Sequence, residues 1–279
     1  MLGQQDAVVL GTFDERYTME GTSQAAEKRP AQPPSASKRT LAVLEAALMN
    51  ERFTDIVDQA DLPKSTVHRL LGLLVESEFI TGDAELGYRA GRRFMTLAGR
   101  ALSDIDIAAL AQPVVDLLVA DVDCTVHVGA VTGDEMVYII RTDSSKPYRM
   151  RSRVGLSIPM HSTGMGKAVL AFRDSDEVRG YAERTGLPAR TETTFTEIEP
   201  FLEELGRVRD RGYALDLGEN EVGTVCVSAP IFNHRGEPAY GISISSISVE
   251  HPGTSIERFA PQAVAAATEI SQLLGAQLS

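Results

Sequence analysis

Residues 61–79, DLPKSTVHRLLGLLVESEF, decide how this chain of 279 residues begins to fold. Pro63 stands where a helix can start, because its fixed φ suits the first turn and its missing N–H has no helical partner there. Behind it Val67, Leu70, Leu71, Leu74 and Val75 recur at helical spacing, which buries one face. The opposite face carries Ser65, Thr66, His68 and Arg69, with Lys64 at the start. Upstream, Phe53, Ile56, Val57 and Ala60 mark a short helix, and Leu41, Leu44 and Leu48 form the apolar stripe of another that begins at Lys38. Downstream, Phe79-Ile80-Thr81 and Gly87-Tyr88-Arg89-Ala90 flank the turn Gly82-Asp83-Ala84-Glu85, the pattern of a small hairpin with a polar tip. Three helices and a hairpin in about 55 residues outline a winged helix-turn-helix, over 38–90.

Working outward, the stretch 21–37 is rich in Ala, Pro, Ser and Gln without apolar periodicity, so 1–37 is expected to be a disordered leader. On the other side Phe94, Leu97, Ala98, Ala101 and Leu102 make a helical stripe, a linker helix over 91–103. The remainder, 104–279, changes character. A helix is expected over 113–120, then the period falls to two over 124–131 and 135–142, on either side of Thr132-Gly133-Asp134. Helical patterns follow at 164–172, 175–185 and 197–211, paired strands at 224–232 and 238–246, and a closing helix at 255–274. Strands joined by hairpins and interleaved with helices imply an α+β domain, an antiparallel sheet with helices on it.

Charge separates the two halves. The chain carries a formal −12, yet 38–103 holds nine basic and nine acidic residues, while 104–279 holds fifteen and twenty-five. The first domain is therefore free of the acidity that would repel a polyanion. On its third helix Ser65 and Thr66 suit phosphate oxygens, Arg69 suits the paired acceptors of a guanine edge, and Lys64 and His68 add donors. Arg89, Arg92 and Arg93, on or just after the hairpin, suit the flanking backbone of double-stranded DNA. A plain solvated face is the competing interpretation, and the position of these residues on a third helix followed by a hairpin favours DNA.

Composition excludes other classes. With 43% apolar and 24% charged residues the chain is ordinary globular protein. The longest apolar candidate, 105–122, is broken by Pro113, Asp116 and Asp121, so no membrane span is expected. The N-terminus lacks the basic and apolar regions of a secretory signal, and two cysteines make no disulfide framework, which points to a reducing cytoplasm. No cofactor is expected, and no metal either: His127 and His161 lack a clustered carboxylate and are better placed as hydrogen-bonded packing residues. Enzyme signatures such as G-x-S-x-G, H-E-x-x-H and C-x-x-C are absent. Ser162, His161 and Asp216 make a poor hydrolytic set, because adjacent Ser and His on one loop rarely face each other productively.

The second domain carries a binding pattern. Val225, Val227 and Ala229 share one face of a strand and Thr224, Cys226 and Ser228 the other; Ile242 and Ile244 oppose Gly241, Ser243 and Ser245 on the next. Pairing these strands creates a patch of small hydroxyl and thiol side chains, which suits a polar small molecule. Cys226 fits such a patch as a lining thiol rather than a redox sensor. Residues 155–167 read as a strand, a turn and a helix beginning near Gly164, whose first amides suit a carboxylate better than a nucleotide.

Three motifs in this order resemble the IclR (isocitrate lyase regulator) family of bacterial transcription factors, over about 38–274. They are Leu-Pro-Lys-Ser-Thr-Val-His-Arg-Leu-Leu (62–71), Gly-Leu-Ser-Ile-Pro-Met-His-Ser-Thr-Gly-Met-Gly-Lys-Ala (155–168), and the run from Arg-Gly-Tyr-Ala-Leu-Asp (211–216) through Gly-Thr-Val-Cys-Val-Ser-Ala-Pro-Ile-Phe (223–232) to Gly-Ile-Ser-Ile-Ser (241–245). The resemblance implies a GAF-like effector domain, a homodimer or dimer of dimers, and a palindromic DNA operator. It also implies a small organic effector held by the Gly164 and Met165 amides, Asp216, Cys226, Ser243 and Ser245, between apolar walls at Met150 and Ile158. The chain departs from the family pattern at Asp61, where a small residue is usual, and in its long leader.

Overall fold

The computed structural model describes residues 35–103 and 106–277, with the side chains of 101–103 left aside. Most of the expected leader, up to residue 34, lies outside the described residues. The chain divides into two compact units after Arg100.

In the first unit α1 (Ala36–Met49), α2 (Phe53–Ala60) and α3 (Lys64–Glu76) precede a hairpin of β1 (Ile80–Asp83) and β2 (Gly87–Ala90). The helix α1 starts two residues before Lys38, because Ser35 caps it, its hydroxyl accepting the Lys38 N–H at 3.3 Å. The stripe of α1 is also rotated from the one expected. Val43, Ala46 and Ala47 are buried, whereas Leu41 is 63% exposed and Leu44 and Leu48 are half-buried. Small residues let α1 approach α3 and the hairpin closely, and Val43, Ala46, Ala47 and Asn50 have the same helical spacing as the leucines. The core closes with Ile56 and Val57 of α2, Val67, Leu70, Leu71 and Leu74 of α3, and Ile80 and Tyr88 of the hairpin; Val75 packs only at its margin. Asp61 ends α2 with φ 49°, the left-handed conformation that a residue without a Cβ adopts most cheaply, which accounts for the small residue usual there. The next helix, α4 (Arg92–Ser103), carries half-buried Phe94 and Ala98 but leaves Met95 and Leu97 exposed.

The second unit begins with α5 (Ile107–Val122), which is longer than the 113–120 read from sequence. Asp106 caps it by accepting the Ala108 and Ala109 N–H groups at 3.0 and 3.2 Å, so Pro113 falls inside the helix instead of opening it. Burial of Ala111, Val114, Val115 and Leu118 against the sheet compensates for the backbone bond that proline removes. Then come β3 (Thr125–Thr132), β4 (Glu135–Thr142), β5 (Ser157–Pro159), α6 (Gly164–Leu170), α7 (Ser175–Thr185), α8 (Ile198–Arg211), β6 (Ala214–Leu217), β7 (Thr224–Phe232) and β8 (Pro238–Ile247). A single 3-10 turn, Ser255–Phe259, leads into α9 (Ala260–Leu273). The six strands form one antiparallel sheet in the order β5-β4-β3-β8-β7-β6.

Period-two alternation on β7 and β8 serves two buried faces. Val225, Val227, Ala229, Ile231, Ile242 and Ile244 pack with α5 and α9. On the other side α6, α7 and α8 build a second core around Met165, Tyr181, Phe201 and Leu205. Glycine brings α6 directly onto the sheet. A Cβ on Gly164 would stand 2.5 Å from the Ser228 hydroxyl, and one on Gly166 would stand 2.2 Å from the Met160 backbone. These glycines serve close approach, not an unusual backbone.

Candidate functional site

On α3 the side chains of Lys64, Ser65, His68 and Arg69 are exposed and that of Thr66 is half-buried, all opposite the buried Val67–Leu70–Leu71–Leu74 stripe. Lys64 and Arg69 form no ion pair among the described residues. His68 rests edge-on against Phe53, ring centroids 6.3 Å apart, which fixes it over α2. The three hairpin arginines sit differently. Arg89 pairs with Glu51 at 3.1 Å, Arg92 with Glu78 at 2.5 Å, and Arg93 lies 5.2 Å above the Phe79 ring. All three stand at the base of the hairpin. Its tip is acidic: Asp83 accepts the Glu85 and Leu86 N–H groups at 2.8 and 2.9 Å, and those bonds hold its carboxyl below the usual carboxylate range.

In the second unit a cavity of about 630 Å³ opens on the face of the sheet that α6 covers. Gly164, Met165, Asp216, Cys226, Ser243, Ser245, Met150 and Ile158 all line it. Strand register explains how distant residues meet. Asp216 pairs with Cys226, and Cys226 with Ser245, so three neighbouring strands carry one row across the floor. Ser228 pairs with Ser243, and Ser243 with His127, to make the next row. The Cys226 thiol donates to the Ser245 hydroxyl at 3.3 Å, and Ser243 and Ser245 hydroxyls are 3.2 Å apart. Met165 reaches the floor because Gly241 leaves it room; a Cβ there would stand 3.2 Å from the Met165 Cβ. Ile158 and Met150 come from β5 and the segment before it.

Several lining residues were not singled out from sequence as ligand contacts. His127, taken as a packing residue, does make hydrogen bonds, at 2.7 Å to the Ser152 hydroxyl and 3.3 Å to that of Ser245, but it also faces the cavity. Its place on β3 opposite Ser243 is the signal that reveals it, and that signal exists only once the strands are in register. Tyr138 stacks on it at 4.7 Å, and Asn220 and Arg190 enter from loops. His161 contacts the Pro188 carbonyl at 3.0 Å and the Tyr181 hydroxyl at 3.4 Å.

Electrostatics follow from burial. Removal from water drives the His127 imidazole down to about 3 and the Cys226 thiol up to about 12, so both are uncharged at neutral pH. Burial likewise pushes Asp216 up to about 6, against the pull of Lys167 and of backbone N–H bonds. Behind the floor Lys167, 1% exposed, donates to both Glu219 oxygens at 2.5 and 2.6 Å, and burial raises that carboxyl to about 7. Among the described residues no three of His, Cys, Asp and Glu gather as a metal site. Ser162, His161 and Asp216 do not form a relay: the Ser162 hydroxyl bonds Asn220 at 3.3 Å, and Asp216 Oδ1 accepts the Glu219 N–H at 2.8 Å.

A winged helix-turn-helix with an open polar face on its third helix, together with a separate α+β unit, defines a two-domain DNA-binding transcription regulator. Known proteins agree. The chain matches the IclR helix-turn-helix domain over residues 38–84 and the bacterial transcriptional regulator IclR C-terminal domain over 99–272. It is 32% identical over 250 residues to the HTH-type transcriptional regulator KdgR of Escherichia coli K12, covering 88% of this chain and 95% of that one. Among solved structures, the Thermotoga maritima IclR superposes with a TM-score of 0.59 at 28% identity, over 86% of this chain and 98% of that one. The Agrobacterium tumefaciens repressor BlcR gives 0.68 at 26%, over 87% and 96%. The chain belongs to the IclR family of DNA-binding transcriptional regulators, and it is not an enzyme. No helix among the described residues is long and apolar enough to cross a membrane.

Proposed function

We propose that this regulator binds a palindromic operator through α3 and that a small organic, carboxylate-bearing effector in the cavity modulates its grip. The observation that carries the reading is the 630 Å³ polar cavity whose floor combines Asp216, Cys226, Ser243 and Ser245 with apolar walls at Met150 and Ile158. Arg69 reads a base edge, Lys64, Ser65, Thr66 and His68 hold phosphates and neighbouring edges, and Arg89, Arg92 and Arg93 steady the flanks. The protein acts in the cytoplasm as a homodimer or dimer of dimers, with two copies of α3 in successive major grooves about 34 Å apart. Exposed Met95 and Leu97 on α4 support self-association, since an apolar stripe left in water gains from a partner. Effector occupancy shifts operator affinity by roughly 1–3 kcal/mol.

Gel retardation of the DNA upstream of the protein's own coding sequence, repeated across salt concentrations, tests the first half. Affinity falls steeply with salt if phosphates are neutralised, and a flat response defeats the reading. Ser243→Ala tests the second half: it weakens the response to a ligand that shifts wild-type binding and leaves DNA affinity without ligand unchanged. Unaltered ligand affinity by titration calorimetry would move the site elsewhere.

A further inference from the structure

Ser245 faces the cavity, so Ser246, the next residue of β8, points to the opposite face of the sheet, where it is fully buried in register with Val225. A polar network closes around it. The Ser246 hydroxyl meets His251 Nδ1 at 2.9 Å and the Tyr148 hydroxyl at 3.2 Å, and Glu250 Oε2 accepts from Tyr148 at 2.9 Å and from Lys146 at 2.7 Å. On its far side His251 Nε2 meets the Arg258 guanidinium at 3.1 Å. The imidazole stands edge-on to Phe259, ring centroids 5.6 Å apart, and Arg258 lies 4.6 Å above that same ring. His251 is 4% exposed, whereas Arg258 is exposed. The imidazole thus pins the 3-10 turn Ser255–Phe259, the entry to α9, against the end of β8.

Donor chemistry fixes the state of that imidazole. A guanidinium has no acceptor, so Nε2 must offer its lone pair to Arg258, and the single ring proton sits on Nδ1, which donates to Ser246. A second proton would go on Nε2, setting one N–H against another and two positive charges in contact. We propose that His251 is an acid-sensitive latch: its protonation expels Arg258 to water and frees the turn Ser255–Phe259 from β8, loosening the seat of α9 on the sheet. Charges from every element packed on the imidazole enter this balance. Burial opposes a charged imidazole most, and Arg258 and Lys146, the latter from the segment after β4, act the same way. Glu250 favours the charge but already accepts from Lys146 and Tyr148, and the balance holds His251 below the usual imidazole range. Burial holds the Tyr148 and Cys124 protons above their ordinary ranges, so both groups stay neutral. Glu257, on the turn itself, accepts from the Tyr213 hydroxyl at 2.6 Å.

The chain contains no tryptophan, so Phe259→Trp places a single fluorophore beside His251. Titrated in the full chain from about pH 8 to about pH 5, its emission is expected to redden and fall in one transition, with a midpoint below about 6.5, the unperturbed imidazole value. His251→Gln in the same background removes the transition, since the amide still donates to Ser246 and accepts from Arg258 but takes no proton. Arg258→Gln, which keeps an N–H for Nε2 without the charge, moves the midpoint upward. Thermal melts of chains that retain Phe259 give a second measure. The folded imidazole binds a proton less readily than the unfolded one, so stability is lost as pH falls through about 6.5. Between about pH 8 and about pH 5 the difference in Tm between His251→Gln and the wild type is expected to move by roughly 2–4 °C in favour of the variant. His127 and His161 are present in both chains, so that difference isolates His251. A transition that persists in His251→Gln, a midpoint unmoved by Arg258→Gln, or a wild type that loses stability in acid no faster than His251→Gln each overturns the proposal.

Discussion

The same residue types serve the two units of this molecule under opposite physical terms. On α3, Ser65, His68 and Arg69 stand in water on a scaffold whose buried side is wholly apolar. Around the cavity, Ser243, Ser245, His127 and Asp216 are themselves buried, each exposed by 3% or less. A site of the first kind is decoupled from stability, because its side chains can be exchanged without opening the core. A site of the second kind is part of the core, and every polar group there must be satisfied by a neighbour or by a ligand. Function and folding are separable in the first unit and entangled in the second.

The sharpest break of that contrast is Lys167→Ala. It leaves Glu219 and Asp216 as uncompensated buried carboxylates, and removing one partner of a buried pair costs about 3–5 kcal/mol. Chemical denaturation followed by a probe in the second unit is expected to show this loss, with the transition of the first unit unmoved. An equal shift of both transitions would mean that the units do not fold independently.

Asp216→Asn comes next, and its sign depends on pH. Asp216 holds its proton up to about 6 in the native fold against 3.8 when unfolded, so the native state binds protons more strongly and stability drains away as pH climbs through that window. The neutral amide escapes this penalty and keeps an oxygen for the Glu219 N–H. The variant should therefore match the wild type near pH 4 and exceed it by about 2–3 kcal/mol above pH 7, with Glu219 titrating as part of the same coupled pair. Thermal melts across that range check it, and a gap that narrows toward high pH contradicts the buried negative charge.

Arg69→Ala in the first unit should cost about 1–3 kcal/mol of specific DNA affinity and leave both melting transitions in place. If base reading lies elsewhere on α3, the loss will be uniform across operator variants instead of concentrated at one base pair.

How much of this was legible in the sequence follows the same division. The first unit depends on local signals, helical spacing and a hairpin turn, so its elements could be read directly. The main slip was the α1 stripe, where alanines at the correct period outcompete leucines because closeness matters more than size. In the second unit, alternation on β7 and β8 pointed to Cys226, Ser243 and Ser245, since small polar residues on a covered face need a reason. Asp216 and the walls at Met150 and Ile158 entered through family resemblance. Four-residue β6 has too little pattern to be read alone. The Lys167–Glu219 pair spans 52 residues, and His127 meets Ser152 and Ser245 only after strand pairing and a long connection bring them together. Contacts of that kind have no local cause.

The hairpin provides the smallest and most discriminating test, because there an exposed candidate contact is also held in an ion pair. Arg89 cannot engage a phosphate fully while it holds Glu51 at 3.1 Å, but both partners are largely in water, and such pairs contribute only about 0–1 kcal/mol. Exchange of the glutamate for a phosphate is thus nearly free, and Arg89→Ala should leave stability unchanged while lowering the salt slope of DNA binding by about one. Glu51→Gln releases the guanidinium in advance and should tighten binding slightly, by well under 1 kcal/mol. If the hairpin meets DNA as proposed, the acidic tip sets the limit on this effect, since Asp83 and Glu85 would push the duplex away from the loop and leave the base of the hairpin as its contact point. If Arg89→Ala leaves the salt slope unchanged, the hairpin does not touch DNA at all, and the whole grip of the first unit falls to α3 and the residues that flank it.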